Sequence, residues 1–208
     1  MTRDEFAART HVSRETLERY DIWKALLEEW SQHTNLVARS TLGDFWGRHA
    51  HDSWQVLEHA PQGTRRWADI GSGAGFPGLA AAFGLMQNNV PDGKVYLVES
   101  IGKKCNFLRE VIARTDAPAE VLTMRAESVP PDLTVDVVSA RAVAALPKLL
   151  NLAKPLLKTG VTGLFLKGSR YEEELTEARK CWTFDVKVIP SRTGDGSILK
   201  IENAHHDR

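Results

Sequence analysis

Trp67-Ala68-Asp69-Ile70-Gly71-Ser72-Gly73-Ala74-Gly75-Phe76-Pro77-Gly78 decides the fold: a short apolar run carrying a carboxylate, then four glycines in eight residues. Glycine permits positive φ and lets a backbone approach a ligand closely. Pro77 suits the first turn of a following helix, where a missing N–H costs nothing. The stretch therefore reads as strand, glycine turn, helix, the opening of an α/β unit.

Outward from this turn, short apolar runs alternate with helical stretches, the pattern of a parallel sheet covered on both faces. Strands are expected at 67–70, 94–99, 120–124, 135–140 and 161–167, with helices near 77–87, 103–115, 144–157 and 171–180. Two more strands, 184–189 and 198–202, flank Thr193-Gly194-Asp195-Gly196 and form a terminal hairpin. The first sixty residues read differently. Leu17, Tyr20, Trp23, Leu26, Leu27 and Trp30 recur mostly at three- and four-residue spacings, which predicts an amphipathic helix, with an N-cap near Ser13. A second helix is expected from about 42 to 59. Residues 1–60 are thus a helical extension and 61–208 an α/β domain.

Two glycine registers coexist in the turn. Gly73, Gly75 and Gly78 satisfy GxGxxG, a dinucleotide fingerprint. Asp69, Gly71, Gly73 and Gly75 give Asp-x-Gly-x-Gly-x-Gly, the form that binds S-adenosylmethionine. Asp69 decides between them. A carboxylate there can accept hydrogen bonds from an ammonium group, whereas a pyrophosphate at this turn has little use for one. Glu99, ending the second strand, can take both hydroxyls of a ribose and so indicates a nucleoside in either register. It stands further from the glycines than the ~20 residues usual in dehydrogenases, an excess the insert at 87–93 explains. About forty residues follow the fifth strand, too few for the second catalytic domain a dehydrogenase needs.

Composition narrows the field. The 208 residues are 42% hydrophobic and 26% charged, with 27 Lys and Arg against 27 Asp and Glu. Zero net charge argues mildly against nucleic-acid binding, though a neutral total can hide a basic face. No apolar run approaches a membrane span. The charged N-terminus lacks a signal core, and Cys105 and Cys181 form no metal-binding pattern. A cytoplasmic, monomeric protein without a metal is expected.

Further segments share one spacing pattern: Arg48-His49-Ala50-His51-Asp52-Ser53, then Gly71 to Gly78, Val98-Glu99-Ser100 with Lys103-Lys104, Arg125-Ala126-Glu127, Ser139-Ala140-Arg141-Ala142, and Lys167-Gly168. In this order they resemble the bacterial 16S ribosomal RNA guanine-N7 methyltransferases, the glucose-inhibited division protein B family. The resemblance runs from about Tyr20 to the terminal hairpin. It implies an α/β fold, a Rossmann-like seven-stranded class I methyltransferase sheet with an N-terminal helical extension. It also implies S-adenosylmethionine as cofactor and a guanine of 16S ribosomal RNA, free or in the small ribosomal subunit, as acceptor. The family's cofactor contacts carry over to Gly71, Phe76, Ala126, Glu127 and Arg141. Asp69, Gly73, Gly75 and Glu99 belong to the wider fold's pattern.

Chemistry agrees with this implication. Methyl transfer from a sulfonium is an in-line displacement that depends on positioning, and guanine N7 has a free lone pair, so no general base is required. The chain lacks both the Asp/Asn-Pro-Pro-aromatic loop of many exocyclic-amine methylating enzymes and a Pro-Cys nucleophile. No catalytic residue is assigned, and Arg141 is the candidate. Its planar fork suits the cofactor carboxylate, an RNA phosphate or a structural ion pair. Glu127 reads as an adenine contact or a helix-start charge, and Phe76 as a cofactor or a core contact. Arg48, His49, Lys103, Lys104, Lys167 and Arg192, with Arg39, are candidates for one RNA-binding basic face. Alternatives are a methyltransferase for another RNA, a protein or a small molecule, and a non-catalytic ribosome-associated nucleoside-binding module.

Overall fold

The computed structural model describes residues 1–207, Arg39 by its backbone alone. Seven strands form one sheet: β1 Arg66–Ile70, β2 Lys94–Glu99, β3 Ala119–Thr123, β4 Val137–Arg141, β5 Thr162–Lys167, β6 Trp182–Pro190 and β7 Ser197–His206. Their order is β3-β2-β1-β4-β5-β7-β6. The first five are parallel and β7 inserts antiparallel between β5 and β6. This is the α/β, class I methyltransferase sheet expected, with the terminal hairpin longer than the sequence suggested. Chain order reverses between β1 and β4, and ligands of open α/β sheets bind in the crevice beyond the strand ends at such a point.

Central strands are buried on both faces, which explains their near-continuous apolar runs. On β1, Trp67 joins the hydrophobic cluster on one face, while Ala68 and Ile70 join that on the other. The first face is covered by α5 (Gly78–Gln87), α6 (Gly102–Thr115) and the extension; the second by α7 (Leu146–Ala153) and α8 (Tyr171–Ala178).

The extension is more finely divided than its periodicity suggested. It holds α1 (Arg3–Thr10), α2 (Arg14–Trp30), α3 (Arg39–Leu42), a π-helical stretch Phe45–His51 and α4 (Asp52–Leu57). Ser13 caps α2 by accepting from the Thr16 N–H at 3.1 Å. The single helix expected over 42–59 is broken because Asp44 caps Gly47, accepting from its N–H at 3.1 Å. A Cβ on Gly47 would lie 2.6 Å from Asp44 Oδ1, so a larger residue there would displace the capping carboxylate. Phe6, Tyr20, Trp23, Phe45 and Phe83 are 0–1% exposed and form one aromatic cluster with the sheet face. Each such ring contributes on the order of 2–3 kcal/mol by burial, so the extension is fastened to the domain through its core.

Candidate functional site

The glycine turn leaves β1 under tight constraint. Gly71 and Ser72 both donate their N–H to Val98 O, at 2.8 and 3.2 Å. Gly71, Gly73 and Gly75 have φ of +63°, +55° and +94°. At Gly75 a Cβ would also sit 2.3 Å from Leu79 Cδ1; at Gly78 it would sit 2.4 Å from Leu97 Cδ2. Pro77 precedes α5 as its N-cap rather than entering the first turn, after a cis Phe76–Pro77 bond.

Glu99 holds the turn from β2. Its Oε2 accepts from Gly73 N–H at 3.0 Å, and its Oε1 from the N–H groups of Ser100 and Ile101, both at 2.8 Å. A carboxylate offers about four acceptor positions, so Oε2 keeps one. Asp69 stands behind the turn and is fully buried. Oδ1 accepts from Ser139 Oγ at 2.7 Å, and Ser139 Oγ in turn accepts from Trp67 Nε1 at 2.7 Å. Oδ2 has no hydrogen-bond partner among the described residues. Burial raises the Asp69 pKa to about 7, against the opposing effect of the hydrogen bond from Ser139.

Arg141, the last residue of β4, meets the extension. Its Nη1 donates to Arg48 O at 3.0 Å and to Asp52 Oδ2 at 3.3 Å, and its Nη2 to His49 Nδ1 at 2.9 Å. The guanidinium lies 4.7 Å from the centroid of Phe76. Because arginine only donates, His49 Nδ1 is the acceptor and Nε2 carries the proton toward Thr41 Oγ1 at 3.2 Å. Burial, then the Arg141 charge, lowers the His49 pKa to about 4. The imidazole is therefore neutral near pH 7, stacked on Phe76 at 4.8 Å between centroids. Trp23 stacks on Phe76 at 4.2 Å and donates its indole N–H to Ala74 O at 3.0 Å. Phe76 accordingly belongs to both core and cleft.

Asp52 joins this assembly to the β6–β7 loop. Its Oδ1 accepts from Thr193 Oγ1 at 2.7 Å, Gln55 Nε2 at 3.0 Å and Ser191 Oγ at 3.4 Å. Gln55 Oε1 accepts from the Arg192 N–H at 3.1 Å. The cleft so enclosed measures about 730 Å³, within the range of small-ligand sites.

The structure brings Gly71, Gly73, Phe76, Arg141, Arg48, His49, Lys104 and Lys167 together on this cleft. Asp69, Gly75 and Glu99 form its support. Buried Ala126 and exposed Glu127 lie on a 3-10 turn beyond β3, outside the main cleft. The turn follows Met124, whose N–H donates to the Glu99 carbonyl at 3.1 Å. Three of the basic residues are engaged elsewhere. His49 is buried and neutral. Lys167 pairs with Glu174 at 2.6 Å and donates to Ala144 O at 2.7 Å. Arg192 forms a two-pronged pair with Glu58, at 3.1 and 2.6 Å. Arg48 and Lys103 are exposed and Lys104 is half-buried; the Arg39 side chain lies outside the described residues. Sequence reading missed Trp23, Thr41, Gln55, Ser191 and Thr193 as site-forming groups, while it singled out Asp52 as a residue that could hold the extension onto the sheet. Only the RHxxDS spacing, through Asp52, pointed toward this assembly.

The residues fit the S-adenosylmethionine that the sequence implies. Arg141 keeps its Nε–H and one Nη2–H without an acceptor among the described residues, which suits a carboxylate. Glu99 Oε2 offers an acceptor to a hydroxyl, and a Cβ on Gly73 would meet nothing nearer than Gly71 O at 3.7 Å.

Known proteins share this architecture. The Bacillus cereus O-methyltransferase, solved in complex with SAH, superposes with a TM-score of 0.57 at 16% identity, covering 92% of this chain and 91% of that one. Sequence relatives are nearer. Ribosomal RNA small subunit methyltransferase G of Parvibaculum lavamentivorans is 45% identical over 204 residues, 97% of this chain and 89% of that protein. Its counterpart from Rhodospirillum rubrum is 45% identical over 206 residues, 99% of each. The family model for rRNA small subunit methyltransferase G (GidB) matches residues 15–195, a span that takes in the RHxxDS segment, the glycine turn and the loop at Thr193. The chain therefore belongs to the rRNA small subunit methyltransferase G family.

Proposed function

We propose that this protein transfers the methyl group of S-adenosylmethionine to N7 of a guanine in 16S ribosomal RNA of the small subunit. The observation that carries this reading is one cleft in which the Glu99-held glycine turn faces Arg141 and the RHxxDS segment. Family membership supports a ribosomal RNA acceptor, and the absence of any need for a general base agrees with N7.

Bound S-adenosylmethionine supplies a methyl group on a sulfonium, ready for in-line displacement. Gly71, Gly73, Gly75 and Phe76, with Glu99, Ala126 and Glu127, would hold it. Glu99 Oε2 would accept from a ribose hydroxyl while the same carboxylate fixes the turn. Arg141 presents its two remaining N–H groups to a carboxylate, or to an RNA phosphate once the base is seated. Asp69 acts from behind the turn, where its Oδ1 accepts from Ser139 and ties β1 to β4. His49, held neutral, orients Arg141 without competing for its anion. Arg48, Lys103 and Lys104 are the phosphate contacts this reading retains.

Residues 1–60 are, on the same reading, an extension that completes the cleft of the 61–208 methyltransferase domain. A ribosomal substrate implies a cytoplasmic protein; no helix among the described residues is long and apolar enough to cross a membrane. The test is to map N7-methylguanosine in small-subunit RNA from cells with and without this protein. One guanine should lose its methyl when the protein is absent. An unchanged map overturns the proposal.

A further inference from the structure

The β6–β7 loop is held at both its ends. Ser191 N–H donates to Gly196 O at 3.0 Å, closing the turn. Arg192 is held by Gln55 and Glu58, and Thr193 by Asp52. Gly196 packs so tightly on the end of β5 that a Cβ there would lie 2.3 Å from Lys167 O. Gly194 and Asp195 are the exceptions: both are exposed and without a hydrogen bond among the described residues, and Asp195 puts a carboxylate with no ion pair on the cleft. Cleft-lining carboxylates among the described residues are Asp52 and Asp195, and Asp52 is occupied by Arg141, Gln55, Ser191 and Thr193.

An unpaired carboxylate in a cleft for RNA opposes the phosphate charge, so it weakens binding unless it meets a donor. Bases splayed from single strands are read on their Watson–Crick edges. Guanine alone among the four standard bases offers two adjacent N–H donors there, N1–H and N2–H, which a carboxylate accepts as a pair. The loop also stands on the correct side. It begins β7 beside the C-terminal end of β5, and β1 and its glycine turn lie three strands away across β4 and β5. At about 4.8 Å per strand that is roughly 14 Å, which leaves room for a purine whose N7 faces the glycine turn and whose far edge faces the loop.

We propose that Asp195 is a specificity-determining residue that accepts N1–H and N2–H of the acceptor guanine. The proposal rests on the N7 reading above. As N7 is methylated, its lone pair forms the N–C bond, the S–C pair returns to sulfur, and positive charge passes to the purine. A carboxylate on N1–H stabilises that charge as it develops. Asp195 thereby selects guanine and assists its reaction, with no proton removed.

The test compares wild type with Asp195→Ala and Asp195→Asn on small subunits carrying guanine or inosine at the mapped position. Inosine lacks the N2 amino group. Wild type should prefer guanine by about tenfold in kcat/KM; Asp195→Ala should prefer it by less than about twofold. Both variants should lose about tenfold or more on guanine, with cofactor affinity by calorimetry unchanged. Their binding to polyadenylate RNA should tighten, since a repulsive charge has gone. An Asp195→Ala enzyme that keeps the guanine-over-inosine ratio overturns the role of Asp195 alone. A wild type that leaves guanine N7 unmethylated overturns the functional reading as well.

Discussion

The Trp23 indole N–H donates to the carbonyl of Ala74 at 3.0 Å, a buried bond that ties the second helix to the middle of the glycine turn. Helix and turn are 51 residues apart in sequence. Trp23→Phe keeps a ring against Phe76 but leaves the Ala74 carbonyl buried without a donor. An orphaned buried acceptor costs about 1–3 kcal/mol. Urea denaturation should show a loss of that size, and calorimetry should show weaker S-adenosylmethionine binding, because the turn is no longer held from above. A stability loss with unchanged cofactor affinity would mean that the bond serves only the fold.

Arg141 is the second point at which extension and sheet meet. Arg141→Lys keeps the charge and loses the fork. One ammonium cannot satisfy Arg48 O, Asp52 Oδ2 and His49 Nδ1 while still reaching into the cleft. Cofactor affinity is expected to fall tenfold or more, and the thermal midpoint by a few degrees. Affinity within a factor of two of wild type would exclude a direct contact.

How much of this was legible in the sequence follows from the range of each interaction. The strand-turn-helix at 67–78 was readable because its glycines and apolar run act over a few residues. Strand number and the terminal hairpin followed from the same local patterning. Asp69 and Glu99 were legible as chemistry and were assigned direct ligand contacts. In the fold Asp69 has no exposed surface, and Glu99 first satisfies three backbone N–H groups. The π-helical break at Phe45–His51 was hidden because its cause is one capping carboxylate, Asp44, in an otherwise helical pattern. Lys167 and Arg192 looked like free cations since nothing local marks Glu174 or Glu58 as partners. The contact of Asp52 with Thr193 spans 141 residues, and only the closed sheet brings them together.

Asp69 and His49 predict opposite pH dependences. Asp69 has a folded pKa of about 7 against about 3.9 unfolded. The folded state holds the extra proton between those values, so stability falls as pH rises through the window, by up to roughly 1.4 kcal/mol per unit. His49 has a folded pKa of about 4 against about 6.5 unfolded. There the unfolded state holds the extra proton, so stability is lost as pH falls from about 6.5 to 4. The two slopes offset one another in the wild type. Asp69→Asn should leave stability rising with pH between 4 and 6.5; His49→Asn should leave it falling. Parallel profiles for both variants would show that neither group is perturbed by its burial.

Basic residues of the cleft divide by whether they are already paired. Lys104 lines the cleft with no carboxylate partner among the described residues, whereas Lys167 is bound to Glu174 and the Ala144 carbonyl. Phosphate contacts reveal themselves through salt, because each neutralised phosphate releases counterions. Lys104→Ala should lower the slope of log affinity for single-stranded RNA against log salt by about 0.7 and leave the thermal midpoint in place. Lys167→Ala should do the reverse. Glu174 Oε2 also accepts from the Leu146 N–H at 2.7 Å, so losing the lysine leaves a half-buried carboxylate uncompensated and loosens the start of α7. The midpoint should fall while the salt slope stays within error. A Lys167 variant with a reduced slope and an unchanged midpoint would return that residue to the RNA face and show that the Glu174 pair opens when RNA binds.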